Sequence, residues 1–336
     1  MLLNECMNNF WNTLPKPFFV LAPMANVTDA AFRRMIAKYG KPDVMYTEFV
    51  SADGLFARQN IDEDGQPRAD HPLMRDLLFT EGERPIVAQF FTSNPANMEK
   101  AAALAARLGF DGIDINMGCP DKTIEKQQAG AKLILDPELA AELIAAAKRG
   151  AGGLPVSVKT RLGYNKDVLE EWLPALLAAE PAAIILHART RKEMSKVPAR
   201  WERIARAALI RNEMKSKTLI IGNGDALDPA DARAKAAMSN ADGVMLGRAI
   251  FGTPWLFNEG ADPDLAERLR IMVEHTKLFE ELLGDIKSFA IMKKHFKAYC
   301  ENFPGAKELR MQLMETHNAA EVEALVKSFI ASTIIH

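Results

Sequence analysis

Eight short apolar runs with strand character alternate with helical stretches through the first three-quarters of the chain, and this alternation limits the possible folds more than any other feature. The strand-like runs cover residues 18–25, 44–50, 85–91, 112–117, 155–162, 183–188, 218–222 and 243–247. Helical periodicity fills 29–39, 97–108, 137–148, 168–179, 201–212 and 228–239. Thr28-Asp29, Asp136-Pro137 and Asp228-Pro229 stand at three helix starts as N-cap-like pairs. Strands separated by helices pair in parallel, and eight is the number that closes a barrel. An open doubly wound sheet would need a glycine fingerprint after its first strand, and Ala22-Pro23-Met24-Ala25-Asn26 is not one. The expected architecture is a (β/α)8 TIM barrel.

The strand pattern stops after Trp255. Residues 265–283, 286–301, 306–315 and 320–334 read as amphipathic helices, with Pro304-Gly305 as a break between two of them. The expectation is therefore a barrel domain over 1–260 followed by a small all-α domain over 261–336. Residues 58–75, polar and carrying Asp62, Asp64, Gly65 and Pro67, read as a loop. With 336 residues, 48% of them apolar and 26% charged, the chain is globular and long enough for a large core. Its three cysteines, Cys6, Cys119 and Cys300, lie far apart without a CxxC pair, so neither a metal site nor a disulfide framework is indicated. Residues 1–14 lack a signal-peptide pattern and no apolar run reaches membrane-spanning length, which places the expected chain in the cytoplasm, away from membranes. A formal charge of -2 leaves nucleic-acid contact to local patches. Nothing indicates an obligate protein partner.

A barrel puts its chemistry at the C-terminal strand ends. Seven of those eight ends offer a polar or charged group, more than a structural rim would need. Asn223-Gly224-Asp225 after the seventh run and Gly247-Arg248 after the eighth form a candidate anion site, where glycines admit backbone N–H groups to a phosphate and Arg248 adds charge. Lys159 sits in an apolar run and needs an anion or an electron-rich ring. His187 ends the sixth run, where it is either a satisfied core residue or a ligand contact. Cys119 follows the fourth run in Asp114-Ile115-Asn116-Met117-Gly118-Cys119-Pro120, a thiol that is either a small buried hydrophobe or a reactive group at the mouth. No cluster has metal-ligand spacing, and no serine sits on a nucleophile turn.

Read together, Ala22-Pro23-Met24-Ala25, Asn116-Met117-Gly118-Cys119-Pro120, Val158-Lys159-Thr160-Arg161-Leu162-Gly163, His187-Ala188-Arg189-Thr190, Asn223-Gly224-Asp225 and Gly247-Arg248 resemble the tRNA-dihydrouridine synthases. These pieces occur in the family's order and cover most of the barrel. Residues 294–310, with Phe303-Pro304-Gly305-Ala306, look like the helical domain of its bacterial DusB-type members. The resemblance implies FMN as cofactor, NADPH as reductant and tRNA as substrate, with a uridine reduced at C5–C6. It implies that Pro23, Met24 and Ala25 lie along the flavin, that Gln89 and Lys159 meet its polar edge, and that His187 faces it. It further implies Asn223, Gly224, Asp225, Gly247 and Arg248 at the phosphate, Cys119 as general acid, Asn116 at the uracil and Arg189 against RNA. Such an acid fits the chemistry, since a thiol of ordinary pKa near about 8.5 is mostly protonated at neutral pH.

Two segments depart from the family pattern. Lys126-Gln127-Gln128-Ala129-Gly130-Ala131-Lys132-Leu133 carries glutamines where the family has glycines, on a loop expected to cover the mouth. Residues 191–196 are basic where a Tyr-x-Gly would be expected. Arg189, Arg191, Lys192 and Lys196 on one loop, and Lys293, Lys294 and Lys297 on a helix, are candidate RNA contacts, though charge runs are also common on plain solvated faces. Two other readings stand beside the synthase: an FMN barrel acting on a small molecule, and a tRNA-binding protein with little turnover.

Overall fold

The computed structural model describes residues 9–334; Cys6 and the beginning of the 1–14 stretch lie outside them. Eight strands appear where alternation predicts them: β1 Phe18–Leu21, β2 Met45–Ser51, β3 Ile86–Phe91, β4 Gly112–Met117, β5 Val156–Arg161, β6 Ala183–His187, β7 Leu219–Asn223 and β8 Gly243–Leu246. Consecutive strands from β2 to β8 pair in parallel, and β8 pairs with β1. The ring closes through a parallel bridge between Val20 and Val44, just ahead of β2. This is the expected barrel.

The first run ends earlier than its apolar content suggests, at Leu21. Pro23 has no N–H to give a ladder. The Met24 carbonyl then accepts the N–H groups of Val27 and Thr28, which turns the chain toward the helix Ala30–Tyr39. Asp29, Asp136 and Asp228 are all N-caps, each carboxylate accepting a backbone N–H of its helix. The helix expected over 286–301 is instead a 3-10 turn, Phe289–Ile291, leading into Met292–Tyr299, because the Ser288 hydroxyl caps Ala290 and starts the turn there. Within 58–75 the chain forms a short helix Pro72–Arg75 and a bridge between Ile61 and Pro67. Two short elements on the loop after β4, the helix Lys122–Lys126 and the 3-10 helix Gly130–Leu135, carry no periodic signal.

Side chains alternate across each strand. An apolar set of Trp11, Phe18, Val20, Tyr46, Val87, Ala183, Ile185, Ile221 and Met245 fills the barrel interior. Two residues further along the same inner faces come Ala22, Gln89, His187, Asn223 and Gly247; on β2 a register shift between Tyr46 and Phe49 interrupts the count. One period-2 count thus delivers the polar groups to the mouth. Trp11, tilted against the Phe18 ring at 5.5 Å, sits with the interior set at the opposite end.

A continuous apolar core joins the outer barrel helices to the C-terminal helices Leu265–Leu283, Met292–Tyr299, Ala306–Met314 and Ala319–Ile334. At this seam Gly252 (φ +71°) lies so close to the Ala298 carbonyl that a Cβ would stand 2.4 Å from its oxygen. Phe32 stacks on His275 at 4.8 Å and meets His295 edge-on at 4.7 Å. His275, His295 and Tyr299 are fully buried, and none of their polar side-chain atoms has a hydrogen-bond partner. Among the described residues three sets of charges cross the seam: Lys38 with Glu274 at 2.6 Å and Arg75 with Asp285 at 3.1 Å are exposed, whereas Lys287 reaches Glu48 at 2.6 Å and Asp76 at 2.7 Å with only 14% of its side chain exposed.

Candidate active site

The mouth holds a cavity of about 580 Å3, within the range of small-molecule sites. Pro23, Met24, Lys159, His187, Asn223, Gly224, Asp225, Gly247 and Arg248 all line it, so nine of the eleven expected flavin contacts share one wall. Ala25 stands beside the cavity, exposed on the turn that follows Met24. Arg161 and Arg189 also line it.

One end suits an anion. Gly224, at φ +128°, takes a backbone form that L side chains rarely adopt, and a Cβ there would press on Ala199. Gly247 opens the 3-10 turn Arg248–Ile250, whose leading N–H groups lack partners within the turn. The Arg248 guanidinium, 65% exposed, donates to Asp225 at 2.6 Å. Asp225 also accepts from Arg189 and from the Ala199 N–H at 2.9 Å. Burial alone would raise the Asp225 pKa, but these donors bring it below the usual carboxylate range. Asp225 therefore holds the arginines, and it does not itself suit a phosphate. Two guanidiniums share one carboxylate, which leaves positive charge for an incoming anion.

Arg189 is a correction to expectation. It is 2% exposed, and its guanidinium is engaged by the Val197 carbonyl (2.6 Å), His187 Nε2 (3.1 Å) and Asp225, so it is held in the cavity wall and is not a free cation on the loop. It also fixes the state of His187. A guanidinium only donates, so Nε2 must accept and the imidazole is neutral with its proton on Nδ1. Burial, then the charges of Arg161 and Lys159, hold the His187 pKa well below the ordinary value, in agreement.

Lys159 makes no hydrogen bond or ion pair among the described residues, although it stands on the cavity wall. Burial, and then the Arg161 charge, bring its pKa down to about 8. An unpaired ammonium so placed calls for a ligand acceptor. With the apolar Pro23, Met24 and Met245 on the same wall, the donor set suits a ring with a phosphate tail, and FMN fits that description.

Gln89, Asn116 and Cys119 lie off this wall in a second array. Gln89 is fully buried, its Nε2 donating to Asp114 at 2.6 Å and its Oε1 accepting from Asn116 Nδ2 at 3.0 Å. Asn116 Oδ1 in turn accepts the N–H groups of Gly118 (3.1 Å) and Cys119 (2.9 Å). Cys119 is partly buried beside Phe91, Ile124 and Ala129. Burial chiefly pushes its thiol pKa up, against the pull of Lys159 and Arg161. Arg161 donates from Nε to the Gly118 carbonyl at 2.7 Å, which ties the cysteine turn to β5.

The loop after Cys119 does not block the mouth. Gln127 and Gln128 are exposed, Gln128 taking a glycine-like φ of +58°, while Ser93 holds the Gln127 carbonyl at 2.7 Å. The basic candidates divide. Lys192, Lys196, Lys294 and Lys297 are exposed and have no ion pair among the described residues. Arg191 is taken by Glu125 and lies 4.9 Å over the Tyr164 ring. Lys293 is a second correction: it is half-buried and donates to the Met314 carbonyl at the end of Ala306–Met314, where a cation suits the helix terminus.

Sequence reasoning passed over Asp114 and Lys287 as site-related groups. For Asp114 a signal existed, a carboxylate between Ile113 and Ile115 in a strand. For Lys287 none did, because its partners lie far back in the chain. Among the described residues no group of His, Cys, Asp or Glu could hold a metal ion, and no helix is long and apolar enough to cross a membrane.

Comparison with known proteins places this geometry. The family model for dihydrouridine synthase (Dus) matches residues 20–334. A probable tRNA-dihydrouridine synthase of Staphylococcus aureus is 41% identical over 326 residues, spanning 96% of both chains. A probable tRNA-dihydrouridine synthase 2 of Bacillus subtilis is 42% identical over 327 residues, again with 96% of each covered. Among solved structures, histamine dehydrogenase from Rhizobium sp. 4-9 superposes with a TM-score of 0.52 at 13% identity, over 77% of this chain and 48% of that one. Morphinone reductase gives a TM-score of 0.50 at 14% identity, over 75% and 88%. These last two likenesses show the barrel fold alone. The chain belongs to the dihydrouridine synthase family and is an oxidoreductase.

Proposed function

We propose that this chain reduces the C5–C6 bond of specific uridines in tRNA to 5,6-dihydrouridine, with FMN in the mouth cavity and NADPH as reductant. One observation carries the reading: a single cavity joins the unpaired Lys159, the neutral His187 and the glycine–arginine end, and a thiol stands on a fixed turn beside it. Reduced FMN, when bound, supplies the hydride for C6. The protein's part is to bind, orient and protonate. Arg248 and the backbone around Gly224 and Gly247 hold the phosphate. Lys159 meets the polar edge of the ring, and His187 presents Nδ1–H. Gln89 retains one amide N–H and one lone pair for the same edge.

Cys119 gives its proton to C5 of the uracil. Burial favours the neutral thiol, so the acid is loaded at neutral pH. Asn116 keeps a second N–H for the base. The uridine must leave the RNA stack to enter the mouth. Exposed Lys192 and Lys196 on the barrel, with Lys294 and Lys297 on the helical region, supply the phosphate contacts, and the work is cytoplasmic. The test is to map dihydrouridine in tRNA from cells with and without this protein, and to record the purified protein's absorbance. Loss of the modification on deletion and a yellow, FMN-loaded protein are expected. Unchanged tRNA, or a protein that stays colourless with added FMN, would sink the reading.

A further inference from the structure

The hydrogen bonds behind Cys119 have a direction. Strand register sets Gln89 beside Asp114 and Asp114 beside Ser157, and the alternation turns all three inward. Asp114 is fully buried, accepting Gln89 Nε2 on Oδ2 at 2.6 Å and Ser157 Oγ on Oδ1 at 2.7 Å. An amide has one accepting end and one donating end. Because Asp114 Oδ2 accepts, Gln89 must turn its NH2 inward and its carbonyl toward Asn116. Asn116 must then give Gln89 its NH2 (3.0 Å), and its Oδ1 is left facing the turn. That oxygen collects the N–H groups of Gly118 and Cys119.

We infer that Asp114 is a positioning residue, whose accepting oxygen sets both amides in turn and thereby fixes the backbone that carries the Cys119 thiol. The reversed setting would aim the Asn116 NH2 at two N–H groups, leaving buried donors without acceptors, so the turn would open. The orientation does not depend on the charge of Asp114. When protonated on Oδ1 the carboxyl donates to Ser157, which can give its own proton to the Ile113 carbonyl at 3.2 Å, and Oδ2 still accepts from Gln89. An asparagine at 114 can do the same, with its NH2 toward Ser157. A leucine cannot.

The inference rests on the function proposed above, so its test includes a readout free of turnover. In the FMN-loaded protein at saturating tRNA, Asp114→Asn is expected to keep kcat within about threefold, while Asp114→Leu loses about 100-fold in kcat, the scale for a misplaced catalytic group. Iodoacetamide labelling of the Cys119 peptide, followed by mass spectrometry, should be several-fold faster in Asp114→Leu than in Asp114→Asn. In a Cys119→Ala background, Asp114→Leu should cost far less than it does with the thiol present. Equal loss in the Asn and Leu variants would overturn the inference, since charge would then be what matters. Wild-type kcat in Asp114→Leu, or unchanged labelling, would overturn it too. Should Asp114→Leu fail to fold, Gln89→Met cuts the chain at its next link and must show the same faster labelling. If Cys119→Ala proves fully active the functional reading fails, and the labelling contrast still decides the role of Asp114.

Discussion

The barrel mouth and the seam with the C-terminal helices both bury titratable groups, and they do it in opposite ways. At the mouth, Asp114, Gln89, Asn116 and Arg161 each find hydrogen-bond partners. At the seam, His275, His295 and Tyr299 find none and are held by ring contacts, His275 and His295 at 4.6 Å. Partnered polar groups specify orientation, because each bond has a donor and an acceptor. Packed rings specify only adhesion. The mouth needs the first, since a thiol must face one atom; the seam needs the second.

Buried carboxyls and buried histidines respond to pH with opposite sign, and the seam holds two of the histidines. Burial chiefly pushes Asp114 up to about 7, and burial with the nearby Glu48 does the same to Asp29. Unfolded carboxyls ionise from near 3.8, so between there and 7 the unfolded state holds fewer protons, and these groups make the fold less stable as pH rises. Burial draws His295 down to about 3 and His275 well below 6.5. Below 6.5 the unfolded state holds more protons, so the histidines make the fold less stable as pH falls.

The sharpest way to break the comparison is at the mouth. Cys119→Ala is expected to lower dihydrouridine formation by at least about 100-fold while FMN and tRNA still bind, as for loss of a general acid. Single-turnover assays with absorbance spectra check this, and a mutant of wild-type rate would return Cys119 to the role of a buried hydrophobe. Next is the buried charge at the seam. Lys287→Met leaves Glu48 and Asp76 without their cation, at 7% and 17% exposure, and should cost about 3 kcal/mol in urea unfolding. A loss under about 1 kcal/mol would mean that seam polar groups are dispensable, unlike those at the mouth.

Smaller effects sharpen the pH contrast. His295→Phe should remove up to about 1.4 kcal/mol of destabilisation per pH unit below 6.5, read as the difference between its stability–pH curve and the wild type's. That subtraction cancels the opposing slope from Asp29 and Asp114. Parallel curves would show that His295 already finds a proton acceptor at the seam. The smallest change is expected from Lys192→Ala or Lys196→Ala. Each should weaken tRNA binding modestly and reduce the log–log salt slope by about 1, without altering kcat.

The barrel and most of its mouth were legible because two periodicities coincide. Strand–helix alternation gives the topology, and counting by twos from Val87, Ile185 or Ile221 reaches Gln89, His187 and Asn223. Partnership was not legible. Arg189 reads as a basic loop residue, and only the folded chain shows it spent on His187 and Asp225. Lys293 likewise belongs to a basic run by sequence and to a helix terminus by contact. Gln127 and Gln128 looked obstructive because bulk was visible and direction was not; the αL turn at Gln128 sends both to solvent. Pairs distant in sequence, such as Lys287 with Glu48, leave no local signal at all.

That last pair bears on the order in which the protein is made. Glu48 and Asp76 belong to the first quarter of the chain and Lys287 to the last, yet they meet in one buried ion cluster. During synthesis from the N-terminus all eight barrel strands emerge before Lys287 exists. The nascent barrel thus carries one carboxylate on β2 and one on the connection that follows it, and both have yet to meet this cation. The helical region is, in this sense, the final fastening of an enzyme whose chemistry lies in the part made first.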